Sequence, residues 1–500
     1  MTTQPATRPN ILMIMTDQQQ YATAGPAAPG RSPALERLAA EGLWFRRAYT
    51  ATTPCSPARA SIVTGLYPHA NGMLNNCHVP YAIAREIRPE CATWGSHLSE
   101  AGYRMRYVGK WHVGWTQGPA DLGFDSENRK FDAAAYRRQL GLSTNGGTTT
   151  DEWGFTDAGG LYWRHYGRAA GPPDATATAA QAAAGLEQLH ALTDEEDERP
   201  WFLWTNFSGP HNPYLVPEPY ASLYDWRDVP LPASYHDPGE GKPAYVRRVR
   251  DSWFGQITEE HTRKAIAHYW GYCTMIDHYV GELLTFLDES GQAEHTLVVF
   301  TSDHGDMMDA HGLWFKDVYP YEETHRMPLL MRWPGMIAPG SVCDAYARTL
   351  DLGPTYLEIA GARPLEPSHG RSLLPILTDA PDAASTLERR ELFMEDHGNI
   401  FNFTQRQLLD GRYKFVFNAF DFDELYDLET DPYELHNLAQ DRSHRDTYER
   451  LADRLWDWML MLEDPYSGRP YAANVLLTRS SPPPLRPDPQ PPTTARRRVL

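Results

Sequence analysis

A chain of 500 residues can build one large core and a second unit, because burial improves with size and single cores stop growing at about 250 to 300 residues. Its formal charge of -19 argues against nucleic acid, heparin-like chains and anionic membranes as partners, and leaves room only for a local basic pocket that takes one small anion. Five cysteines, at 55, 77, 91, 273 and 343, are too few and too irregular for a disulfide framework, so a reducing, cytoplasmic setting is expected.

In chain order, Met1 to Arg8 lacks the basic, apolar and small-residue segments of a signal peptide, and no apolar run is long enough to cross a bilayer. Four short apolar runs flanked by turn residues then read as buried parallel strands: Asn10 to Thr16, Tyr103 to Val108, Trp201 to Phe207 and Leu297 to Thr301. Amphipathic stretches at Ser32 to Glu41, Ala92 to Ala101 and Ala265 to Glu289 alternate with them, as βαβ units require. Residues 8–380 are therefore expected to form an α/β domain with a mixed, mostly parallel sheet sandwiched by helices. Within it, Gly118 to Leu192 reads as loop-rich and is Ala-rich around Ala175 to Ala184; Trp153, Tyr162, Trp163 and Tyr166 there either roof a pocket or simply pack.

From Glu391 the pattern changes to short alternating strands: Glu391 to Glu395, Gln405 to Leu409, Arg412 to Asn418 and Glu424 to Leu428. Asp410-Gly411 marks a tight turn, and a helix follows from about Arg442 to Met461. Residues 385–470 are thus expected to be a smaller α+β domain with a short antiparallel sheet, and 475–500 a Pro/Arg-rich extended tail.

Open α/β sheets bind ligands outside the carboxyl ends of their strands, so the residues after each run carry the functional information. The first run ends in Asp17, the second enters Gly109-Lys110-Trp111-His112, the third Ser208-Gly209-Pro210-His211, and the fourth Ser302-Asp303-His304-Gly305-Asp306. Four separate segments deliver metal-type ligands or cations to one rim. Between the first two lies Cys55-Ser56-Pro57-Ala58-Arg59. Pro57 suits the first turn of a helix, which puts residue 55 at or just before a helix N-terminus, where developing negative charge is stabilised. Arg59, one turn on, can fold back toward residue 55. The plain alternative is an ordinary buried cysteine.

That segment matches the pattern Cys-x-Pro-x-Arg, and Thr64-Gly65-Leu66-Tyr67-Pro68 resembles its downstream half. On these residues the chain resembles the type I, formylglycine-dependent sulfatases of the alkaline phosphatase superfamily. Arg8 to Gln18 and Asp303 to Asp306 look like the two metal motifs of those families. Tyr321 to Leu329, with Glu322, Glu323 and Arg326 read as structural, and Glu424 to Leu438 extend the likeness from about residue 8 to 440.

The resemblance implies an alkaline phosphatase-like fold and oxidation of Cys55 to formylglycine by a separate generating enzyme. It implies one divalent ion, Ca2+ expected ahead of Mn2+ or Mg2+, held by Asp17, Gln18, Asp303, His304 and modified residue 55. By the same likeness Lys110 binds a sulfate oxygen, and His112 takes the proton when the sulfated hemiacetal collapses. His211 and Lys316 contact the ester and leaving oxygens. Asn76, with Asn75 as its register alternative, is either a polar residue near the scissile group or a turn residue. Gln18 stands where the best-known arylsulfatases have a second Asp and His304 where they often have Asn; the pair resembles choline sulfatases and phosphonate monoester hydrolases. An imidazole ligand leaves the metal's identity open.

The leading expectation is hydrolysis of a small sulfate ester, aryl or alkyl/choline-type, to alcohol and inorganic sulfate through a covalent sulfated formylglycine. Its nearest rival is a phosphonate monoester or phosphodiester hydrolase on the same nucleophile; that branch commonly lacks the Lys-x-His pair, so Lys110 and His112 tilt the balance to sulfate. A third reading is a non-catalytic binding protein with Cys55 unmodified. The expected partners are a small anionic ester and the generating enzyme, with no nucleic acid or membrane, and with homo-oligomerisation left open.

Overall fold

Residues that are apolar on both sides of a strand bury both faces, and the chain's apolar runs do so in the central sheet. In the computed structural model, residues 8–125, 138, 151–157, 159–194, 197–378, 390–399, 402–419 and 421–468 are described; the tail expected at 475–500 lies outside them. The main sheet comprises β1 (Asn10–Asp17), β2 (Leu43–Phe45), β3 (Arg104–Gly109), β4 (Trp201–Pro210), β5 (Thr296–Ser302), β6 (Leu329–Arg332) and β7 (Ser341–Cys343). Their order is β7-β2-β6-β5-β1-β4-β3. Only β6 runs antiparallel to its neighbours, which makes the sheet mixed and mostly parallel.

Alternation along β1 assigns the layers. Ile11, Met13 and Met15 pack with α1 (Cys55–Thr64), α2 (Trp94–Glu100) and α3 (Leu352–Ala360), whereas Leu12 and Ile14 pack with helices on the other face. Those are Pro33–Ala40, Ala177–Asp194 and the long Glu259–Glu289. The second corrects the loop-rich reading of this region: alanine is the best helix former, and Ala179, Ala180 and Ala182 are buried in that helix. The neighbouring aromatics lie on two short strands, Trp153–Thr156 and Tyr162–Arg168. Trp153 stacks on His261 with ring centroids 3.8 Å apart, which is ordinary packing.

At the C-terminal end β8 (Leu392–Asp396), β9 (Gln405–Leu409), β10 (Tyr413–Asn418) and β11 (Glu424–Asp427) form an antiparallel sheet in sequence order. Gly411, at φ 96°, turns the hairpin, and Asp410 accepts the Tyr413 N–H at 2.8 Å. The helix Arg445–Met461 covers this sheet through Leu451, Leu455 and Met459. Among the described residues no helix is long and apolar enough to cross a membrane.

An ionic cluster ties the small sheet to the segment after α1. His69 Nδ1 lies 2.7 Å from Glu395 and its Nε2 lies 3.0 Å from the Leu462 carbonyl, while Arg406 donates to Asp464 at 2.5 Å. Both ring nitrogens face acceptors, so both carry hydrogens and neither has a lone pair for a metal. Burial alone would push His69 down, but the Glu395 carboxylate lifts it above the ordinary imidazole value. Its contribution to stability is therefore complete below about pH 6.5 and fades as pH rises through the folded-state value. Thermal denaturation of His69→Gln is expected to show a deficit against wild type that narrows above neutrality. A pH-independent deficit would remove the imidazolium charge from this account.

Candidate active site

β1 and β5 are parallel neighbours, so their carboxyl ends place Asp17 and Asp303 side by side. His304 Nδ1 donates to the Gly305 carbonyl at 2.9 Å, which leaves Nε2 with its lone pair directed 3.1 Å from Cys55 Sγ and 3.6 Å from Asp17 Oδ1. Burial pushes His304 down to about 3, helped by Lys316 and Lys110 against the pull of Asp303, so the ring is neutral. Ligand atoms of Asp17, Cys55, Asp303 and His304 all lie within 4.8 Å of one another, and all four residues are buried. Such spacing suits ligands around one divalent ion at roughly 2.0–2.6 Å each.

Cys55 is the first residue of α1, with Pro54 at the N-cap. Burial raises its thiol above the usual range, so the unmodified side chain is a neutral, poor nucleophile. Thr52 and Thr53, just upstream, donate from their hydroxyls and from the Thr53 N–H to Asp396 Oδ1, at 2.9 to 3.1 Å. Asp396 in turn receives His325 Nε2 at 2.9 Å. The small sheet thereby holds the loop that presents residue 55.

As expected, the Arg59 charge acts on residue 55, opposing the upward push of burial on its thiol, while the guanidinium's hydrogen bonds go to neighbouring groups. Its Nε donates to Asp303 at 2.7 Å, one terminal nitrogen donates to the Lys110 carbonyl and to Asn206, and the other lies 3.6 Å from Asp17. It is a fully buried countercharge for two carboxylates. Although burial opposes ionisation of Asp303, the charges of Arg59 and Lys110 and the Arg59 hydrogen bond hold that carboxyl well below its ordinary value.

Lys110 is ion-paired with Asp17 and is brought down to about 7 by burial, with Lys316 adding repulsion and Asp303 opposing both. Lys110 and His112 stand two apart, as alternate residues on one face of a strand would, but β3 ends at Gly109, whose φ of 98° turns the chain. A Cβ there would sit 1.9 Å from the Asn206 carbonyl. The two side chains nonetheless flank Trp111, which is anchored among Tyr107, Phe124 and Trp204. His112, at φ 57°, meets His78 Nδ1 through its Nε2 at 2.8 Å.

Lys316 is buried, donates to Gln18 Oε1, and contacts His211 Nε2 at 2.8 Å. Burial and the nearby Lys316 and Lys110 keep His211 far below the ordinary imidazole value. Gln18 borders the four-residue cluster: its backbone N–H donates to Asp303 at 3.2 Å, its Nε2 donates to Asp306 at 2.5 Å and to Asn212 at 3.1 Å, and its oxygen takes Lys316. A φ of 69° at Gln18 swings the side chain that way. Asn76 Oδ1 accepts the Ser56 N–H at 2.8 Å and so caps α1, while Asn75 donates to the carbonyls of His397 and Gly398.

Four further residues support the site without being expected there from the sequence. Asp306 stands in the motif already singled out and accepts from Tyr214, Gln18 and the Phe315 N–H. Asn206 lies at the end of an apolar run, and both it and Asp396 act across the fold, where local pattern carries no signal. His78 sits in an aperiodic loop.

The Sulfatase family model matches residues 9–362, and the model for the C-terminal part of N-sulphoglucosamine sulphohydrolase matches 310–460. The chain is 31% identical to choline-sulfatase of Rhizobium meliloti (strain 1021), over 87% of this chain and 83% of that protein. It is 27% identical to an arylsulfatase of Clostridium perfringens, over 89% and 93% respectively. Among solved structures, a phosphonate monoester hydrolase from Silicibacter pomeroyi superposes with a TM-score of 0.75 at 25% identity, covering 91% of this chain and 95% of that one. A match across most of the chain, joined to a strand-end cluster of carboxylates and imidazole, places this protein in the sulfatase family as a sulfuric ester hydrolase.

Proposed function

We propose that the protein hydrolyses a small sulfate ester, aryl or alkyl/choline-type, through a formylglycine made from Cys55 by a separate generating enzyme. The observation that carries this reading is the position of Cys55: first residue of a buried helix, 3.1 Å from a neutral His304 and beside Asp17. A plain thiol there is held neutral, whereas a hydrated aldehyde offers two geminal hydroxyls, one to attack sulfur and one to re-form the carbonyl and expel sulfate.

Asp17, Asp303, His304 and residue 55 fit a divalent ion, because four buried donor atoms converge and, among the described residues, the two carboxylates have Arg59 and Lys110 as their Arg or Lys ion-pair partners. When bound, such an ion lowers the pKa of the attacking hydroxyl and screens the anionic ester. Ca2+ is the expected occupant, with Mn2+ or Mg2+ as alternatives. Lys110 orients a sulfate oxygen, and His112 accepts the second hydroxyl's proton. Lys316 neutralises the leaving oxygen, with Gln18 and His211 fixing its ammonium beside the ester.

Lys316→Ala is therefore expected to slow alkyl sulfates by roughly 10²-fold and activated aryl sulfates far less. Rates for a series of aryl sulfates of rising phenol pKa measure this; an unchanged slope would remove Lys316 from leaving-group assistance.

A phosphonate monoester hydrolase activity is the second reading, favoured by the likeness to the Silicibacter pomeroyi enzyme and by Gln18 with His304. Side-by-side kcat/KM for an aryl sulfate and an aryl phosphonate monoester decides between them. Preference for sulfate is expected, and a strong preference for the phosphonate would overturn the proposal.

A further inference from the structure

The geometry points to His78 as a proton relay that carries the proton received by His112 out to solvent. It rests on the formylglycine reading of the same site and adds a residue that touches no substrate and acts through His112.

His112 is poorly placed to keep a proton. Its Nδ1 is buried and has no hydrogen-bond partner among the described residues, while Nε2 faces His78 Nδ1 at 2.8 Å, with ring centroids 4.9 Å apart. Lys110, Arg59 and Lys316 all act repulsively on a protonated His112, and burial, the largest effect, also disfavours the charged ring. No carboxylate is hydrogen-bonded to either nitrogen among the described residues. An imidazolium formed here must be discharged before the next turnover. His78, in contrast, is exposed. Its nearby charged neighbour is Lys316, which together with burial keeps it neutral and able to accept.

The resting arrangement that satisfies these contacts has His112 Nε2–H donating to His78 Nδ1, with the His112 Nδ1 lone pair free to act as base. When the sulfated hemiacetal collapses, its hydroxyl proton passes to His112 Nδ1 and the freed electron pair re-forms the aldehyde C=O. The carbon–oxygen bond to sulfate breaks, and sulfate departs with the electrons of that bond. The Nε2 proton of His112 passes to His78 Nδ1, and His78 releases its Nε2 proton to water. After sulfate leaves, His112 gives its Nδ1 proton to water entering the site while a proton returns from solvent through His78 to His112 Nε2, which restores the resting tautomers. Charge on the buried ring is thus never more than transient. His112 makes this contact from a left-handed backbone, φ 57°, a sparsely populated conformation for a non-glycine residue.

The test uses full-length enzyme matured so that residue 55 is formylglycine, with 4-nitrophenyl sulfate as the probe. His78→Gln and His78→Ala are both at an exposed position, and circular dichroism checks their fold. Phenol release in the first turnover is expected to match wild type, while kcat falls about tenfold or more. Intact-mass spectra of the variants during turnover should show enzyme carrying one added SO3 group, and exogenous imidazole should restore kcat in His78→Ala. Unchanged kcat, or a first turnover slowed in parallel with no sulfated enzyme accumulating, would overturn the relay while leaving the formylglycine reading intact. Wild-type protein that turns over without formylglycine at residue 55 would overturn both.

Discussion

Cys55→Ala is expected to abolish turnover, with kcat/KM for an aryl sulfate falling by about 10⁴-fold or more, because it removes the group that attacks sulfur. The surrounding cluster survives: Arg59 still bridges Asp303 and Asp17, and Lys316 still holds Gln18 and His211. The variant should therefore fold and bind substrate while failing to cleave it. Cys55→Ser is the sharper variant, since a single hydroxyl can be sulfated but has no geminal partner to expel the sulfate. It is expected to stall after one turnover as a stable sulfated enzyme visible by mass. Turnover of Cys55→Ala within tenfold of wild type would remove residue 55 from the chemistry.

Arg59→Ala is expected to have the largest effect on stability, costing about 3–5 kcal/mol when divalent ions are chelated. The guanidinium is fully buried and is the only arginine paired with the two site carboxylates among the described residues. Without it Asp17 and Asp303 are left buried with Lys110 as their remaining direct cation among those residues. An ion bound by those same carboxylates supplies the missing charge, so added Ca2+ or Mn2+ should recover much of the loss through linkage. Thermal denaturation of wild type and variant in chelator and in excess metal measures this directly. An equal shift on metal addition in both proteins would mean that the ion does not share carboxylates with Arg59.

The strand ends and the nucleophile helix are legible in the sequence because they depend on local rules. Asp17 and Asp303 close apolar runs, and parallel neighbours necessarily present their carboxyl ends at the same rim. Residue 55 at the first position of α1 follows from Pro57 in the first turn. Lys110 and His112 lie beyond the end of their strand, so strand alternation does not orient them; Trp111, buried in an aromatic cluster between them, does. For Gln18, a place in a metal motif says nothing of the left-handed backbone from which its amide meets Asp306 and Lys316.

By itself, then, the order of residues determined which chemical groups arrive at the sheet's rim and which helix carries the cysteine, because periodicity and turn chemistry act over a few residues. Only tertiary structure decided how those groups are held. Asp396 steadies the Thr52 loop from 344 positions away, Arg59 pairs with Asp303 from 244, and His78 meets His112 across 34. Contacts at such separations are set by how two sheets and their helices pack, and packing leaves no local pattern in a sequence.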